Sequence, residues 1–194
     1  MQTILFIGII VFGSSSYIVG VRQMLRGDYS PSTFSRVIWV LLALNSFAGV
    51  LLSGSSQSSI LLGTILLIGN IAVCIVSFWK GTKTIGKLEY VCIFLLIVSG
   101  LVWIFFRAPL INLVISLIAH FIGATPTYKK VWQNPKSEST SFWSLFFIAS
   151  LLSIFASQSN SFEVVILPIY FTFFDGSIFI LSLRRFLTDK EAKN

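Results

Sequence analysis

The chain has 194 residues, 55% of them apolar and 11% charged, with a formal net charge of +7 and a mean hydropathy of +0.89. Soluble chains carry about 25% charge, so a soluble globular domain is excluded and an all-α protein that crosses a membrane several times is expected. The positive balance does not point to a nucleic-acid partner, because the basic residues flank apolar runs and no basic domain gathers them.

The first apolar run, residues 3–21, has no basic stretch before Ile4 and reads as a retained helix, not a signal peptide. Arg22, Arg26 and Asp28 follow it, then Ser30, Pro31, Ser32 and Thr33, a turn and helix-start signal. A second span over 34–52 ends in an uncharged serine-rich loop at 53–58. The third covers 59–78 and runs into Trp79, Lys80, Lys83 and Lys87, and the fourth covers 88–106. Arg107-Ala108-Pro109 is a tight turn with Pro109 suited to the first position of the next helix. The fifth span is expected over 109–125, with an extension as far as Tyr128, the sixth over 141–156 and the seventh over 162–183. A polar tail at 184–194 holds Arg184, Arg185, Asp189, Lys190, Glu191 and Lys193. The runs, at about 16–22 residues, are each expected to cross a ~30 Å hydrocarbon core.

Seven spans place the loops alternately on two sides. Of the 14 Lys and Arg residues, all but Arg107 then fall on one side. The positive-inside rule puts that side in the cytoplasm, with the N-terminus outside and the C-terminus inside. Trp79, Trp103 and Trp143 lie near span ends, as interfacial aromatics do. Cys74 and Cys92 sit inside apolar runs without metal-ligand spacing and read as small packing residues.

The chain carries an internal echo. A shift of 104 residues lays Pro31 on Pro135, Trp39 on Trp143, Ser46 on Ser150 and Arg26 on Lys130. Spans one to three superpose on five to seven, and span four restores the orientation, which is a parallel 3+1+3 repeat. The expected organisation is a first three-helix bundle at 1–79, a basic loop and linker helix at 80–106, a second bundle at 107–183, and the tail.

Ala124-Thr125-Pro126-Thr127-Tyr128-Lys129-Lys130, followed by Ser137-Glu138-Ser139-Thr140-Ser141, resembles the PQ-loop/SWEET superfamily of small seven-helix transporters. The resemblance covers the whole chain in plan and is motif-specific over 124–143. Pro126 stands where the family places a helix-five proline, but Thr127 replaces its glutamine, and Arg22 occupies the matching place in span one. The resemblance implies a bend at Pro126 during alternating access, and a substrate-facing asparagine on helix three, where Asn70 stands.

Asp175 is the one acid deep in a span, about 12 Å from the inner end of its helix at 1.5 Å per residue. A carboxylate facing lipid costs at least ~2.5–3.5 kcal/mol, so Asp175 is expected to face the bundle interior. There it either binds substrate and carries a coupling proton, or packs as a hydrogen-bonded residue. Asn70 lies one position from the repeat equivalent of Asp175, and Asn45 also lies near mid-membrane; each either lines a site or joins helices. Trp39 and Trp143 either gate the site or anchor at the interface, and Pro168 and Tyr170 are placed to bend span seven and line a cavity. His120, the single histidine, has no Cys, Asp or Glu at ligand spacing, so a metal site is not expected.

No nucleophile–base pair, phosphate-binding glycine loop or paired carboxylates is visible, so neither an enzyme nor a cofactor is expected. The expected function is movement of a small polar solute, such as a sugar or an amino acid, across the cell membrane by alternating access. Asp175, Asn70, Asn45 and Tyr170 would bind it, and Pro126, Thr127, Trp39 and Trp143 would form hinge and gate. The alternative is a receptor on the same scaffold. Its partners are the solute and the bilayer, with self-association left open. A retinal protein is excluded because span seven contains no lysine.

Overall fold

The computed structural model describes residues 1–28, 31–83, 86–159 and 161–191, with side chains as far as Phe186. Ser30 and the tail residues Asp189, Lys190, Glu191 and Lys193 therefore fall outside the described side chains. The helices are α1 (Gln2–Arg26), α2 (Thr33–Leu52), α3 (Gln57–Lys80), α4 (Lys87–Phe106), α5 (Pro109–Gln133), α6 (Thr140–Phe155) and α7 (Phe162–Glu191). No strand occurs among the described residues. The backbones of Pro31–Thr33 and Thr82 form one isolated bridge, which ties the α1–α2 connection to the end of α3. Six of the seven helices are long and apolar enough to cross a membrane; α6, with 16 residues, is shorter.

The helix ends follow local chemistry. α1 stops at Gly27, whose φ of 84° suits glycine; Gly27 N–H donates to the Met24 carbonyl and Asp28 N–H to that of Gln23. Ser32, Ser56 and Ser139 cap α2, α3 and α6, their hydroxyls accepting from the N–H groups of Ser35, Ser59 and Phe142. Pro109 opens α5 two residues after α4 closes at Arg107.

Three spans run further than expected, α1 reaching Arg26 where 21 was expected. α5 continues to Gln133, so Pro126 lies inside a helix and not at its foot. The helix ends where Pro135 drives Asn134 into extended backbone, φ −139° and ψ 97°. α7 continues to Glu191 and carries the start of the expected polar tail as helix.

In the packing, α3 lies against α1 and α2, α7 lies against α6 and more lightly α5, α1 meets α6, and α2 meets α5. α4 sits outside, against α5 and α2, and buries only Cys92 and Ser99. Its attachment is polar. Asn45 Nδ2 donates to the hydroxyls of Ser99 and Ser116, and the Ser99 hydroxyl donates to Asn112 Oδ1 at 2.9 Å. Asn112 Nδ2 returns to the Asn45 carbonyl at 3.4 Å. Large apolar residues such as Phe94, Ile104, Phe105, Phe173 and Ile180 are exposed on the outside. Water would not tolerate such a surface, and lipid does.

Candidate functional site

A small cavity of about 20 Å³ lies inside the helix assembly, and every helix except α4 contributes to its wall. It has room for about one water molecule. α7 supplies Asp175 and Phe174, α3 supplies Asn70, and α1 supplies Tyr17. α2 brings Arg36 and Trp39, α5 brings His120, and α6 brings Trp143 and Phe146.

Asp175 is 2% exposed, and its Oδ2 has no hydrogen-bond partner. The other polar groups of the wall are mostly engaged. Asn70 Nδ2 donates to Tyr17 Oη at 3.1 Å and to the Leu66 carbonyl at 2.9 Å. His120 Nδ1 lies 2.9 Å from Tyr170 Oη, and the Tyr170 ring stacks on Phe174 with centroids 5.7 Å apart. Tyr17 meets Phe142 and Phe146 edge-on, and a Cβ on Gly69 would overlap its ring, so glycine at 69 is what lets α1 and α3 close around it. The Arg36 guanidinium lies 4.8 Å from the centre of the Trp39 ring.

On the side of the basic loops lies a wider vestibule of about 440 Å³, lined by Arg36, Trp39, Lys87, Glu89, Pro126, Thr127, Lys130 and Glu138. Arg36 and Trp39 line both spaces. Across from them, buried Glu138 pairs with Lys130 at 2.9 Å and accepts from Trp143 Nε1 at 3.2 Å. At the opposite end serine hydroxyls of the α2–α3 region donate to backbone carbonyls of α6 and α7, beside a second pocket of about 270 Å³. Ser55 reaches Glu163 at 2.8 Å, Ser58 reaches Ser153 at 2.9 Å, and Ser59 reaches Val164 at 2.6 Å. The Val164 carbonyl is the one that Pro168, lacking an N–H, leaves without its helical donor.

Of the residues singled out from sequence, the fold brings Asp175, Asn70, Trp39 and Trp143 to one cavity, and Pro126 and Thr127 to the vestibule. Tyr170 stands behind His120 and does not line the cavity. Asn45 also lies off it, its amide donating to Ser99 and Ser116. Trp39 and Trp143 are buried, whereas Trp79 is exposed. Sequence reasoning did not single out Tyr17 or Arg36. Arg36 is counted with the loop charges although it falls inside the 34–52 span, and it lies in α2, one turn before Trp39. Its signal was that spacing. Among the described residues no cluster of His, Cys, Asp and Glu could hold a metal ion. Comparison with family models, curated proteins and solved structures finds no match to this chain.

Proposed function

We propose that the chain is a small-solute transporter that works by alternating access. Two three-helix bundles, α1–α3 and α5–α7, would move against each other, with α4 as the link in a parallel 3+1+3 repeat. The pairing of helices supports this reading, since α3 and α7 occupy corresponding places between or beside their bundle partners. Under the 104-residue shift, the end of α2 at Leu52 falls one residue past Phe155, and the start of α3 at Gln57 falls one residue before Phe162. The plan resembles that of the PQ-loop/SWEET superfamily, and the charge asymmetry favours a cell-membrane protein with its basic loops in the cytoplasm.

The observation that carries the proposal is a cavity lined by helices of both halves, with Asp175 in its wall and one oxygen of that carboxyl without a partner. A buried polar group left unsatisfied costs about 1–3 kcal/mol, and a site that binds and releases a solute gives that cost a use. The serine contacts tie α2–α3 to α6 and α7 at one end, and the vestibule at the other shares Arg36 and Trp39 with the cavity, which supports access from the basic-loop side. Pro126 and Thr127 sit where a bend in α5 would widen the vestibule, and Asp175 would carry the coupling proton.

The test is uptake into proteoliposomes of a panel of radiolabelled sugars and amino acids, with and without a pH gradient. The expected result is saturable flux of at least one solute, abolished or uncoupled from the gradient by Asp175→Asn. Saturable binding with no flux would replace this reading with that of a receptor.

A further inference from the structure

The cavity's wall also says which chemistry its solute carries. Building on the transport reading, we propose that the solute is an organic ammonium compound whose N–H⁺ group seats on Asp175 among the aromatic rings of the cavity.

The unmet need of the wall is for a donor. Asp175 Oδ2 is buried and unpartnered, and once Asp175 gives up its proton it can only accept hydrogen bonds. Apart from the Arg36 guanidinium, the neighbouring groups have little to offer a hydroxyl-rich ligand. The Asn70 N–H₂ already donates to Tyr17 and Leu66, and His120 Nδ1 is held by Tyr170. A sugar needs several donors and acceptors together, and leaving its hydroxyls unpaired in this space would be costly. An ammonium group asks for one strong acceptor and for electron-rich rings. Trp39, Trp143, Tyr17, Phe146 and Phe174 supply the rings around that one acceptor. Trp39 already holds one organic cation, the Arg36 guanidinium.

Arg36 is the counter-argument and also the source of finer specificity. A second positive charge in the wall opposes a bare amine, and it favours an amine that also bears a carboxylate. Both compounds share the ammonium chemistry, and the experiment separates them.

The purified full-length protein is reconstituted in lipid nanodiscs. Binding is read from the intrinsic tryptophan fluorescence, to which Trp39 and Trp143 of the cavity wall contribute, and from the thermal midpoint. Four probes of closely similar carbon skeleton are used, namely leucine, 3-methylbutylamine, 4-methylpentanoate and 3-methylbutan-1-ol, with glucose as a fifth. At least one of the two ammonium compounds is expected to bind at least tenfold more tightly than the alcohol, the carboxylate and glucose. Asp175→Asn is expected to weaken that binding at least tenfold while the protein remains folded. If leucine binds better than the amine and Arg36→Gln removes only that advantage, the solute is an amino acid. If the amine binds as well, a simple amine is sufficient.

The proposal is overturned if the alcohol or glucose binds as tightly as the ammonium compounds, or if Asp175→Asn leaves their binding unchanged. The comparison of isosteres on the wild-type protein decides the matter even where the variant unfolds. Glucose binding with glucose flux would overturn the ammonium proposal and leave the transport reading standing. A folded wild type that binds no probe and moves no solute from the wider panel would overturn both.

Discussion

Ser59→Ala tests whether the serine contacts join α3 to α7 through a specific backbone vacancy. In a regular helix the Val164 carbonyl accepts from the N–H of residue 168, but Pro168 has none, and the Ser59 hydroxyl takes its place at 2.6 Å. Hydrogen bonds between membrane helices average only ~0.6 kcal/mol, because both partners usually find substitutes. Here the substitute donor has been removed by the proline, and Ser59 is fully buried. The cost of Ser59→Ala should therefore reach the range for an orphaned buried acceptor, about 1–3 kcal/mol. A double-mutant cycle isolates the term. In a Pro168→Ala background residue 168 regains its N–H, so the same Ser59→Ala change should cost about 0.5 kcal/mol, near the ordinary interhelical value. Reversible unfolding in mixed micelles measures all four proteins. Equal cost of Ser59→Ala in both backgrounds would refute the argument.

Gly69→Ala should destabilise the fold by about 1–3 kcal/mol through overpacking against Tyr17; most of that loss should vanish in a Tyr17→Ala background, and a loss that persists would place the clash elsewhere. Asn112→Ala strips the buried Ser99 hydroxyl of its acceptor, costing about 1–3 kcal/mol in unfolding. Solute binding should survive that change, because Asn112 does not line the cavity. Asp175→Asn should leave stability unchanged or raise it, since it removes a carboxyl whose oxygen has no partner; a marked fall in the unfolding midpoint with binding intact would mark Asp175 as a packing residue. For the orientation, a membrane-impermeant maleimide should label Gln158→Cys on intact cells and Lys83→Cys only after permeabilisation, both sites being exposed; the reverse pattern would invert the topology.

The number and placement of the helices were legible from the sequence because they rest on local rules. Apolar runs, six of them long enough for a bilayer, mark the helices, and Ser32, Ser56, Ser139 and Pro109 mark where they begin. The errors were of length. Pro126 looked like the foot of α5, yet a proline removes one hydrogen bond without ending a helix whose other bonds remain, and Pro135 is the residue that ends it. What the sequence could not show was which side of each helix faces inward. A soluble helix reveals this by its polar face, but in lipid the outer face is as apolar as the core. Asp175 and Asn70 could be found as polar residues in apolar runs, since burial in lipid is costly enough to make such residues conspicuous. That Asn45 would join Ser99 and Asn112 while Asn70 lined a cavity depends on the rotation of α2 and α3 about their axes, and only packing sets that rotation. The same holds for Tyr17, His120 and Arg36. Each is ordinary in its own stretch of chain and gains its meaning from six helices converging on one small space.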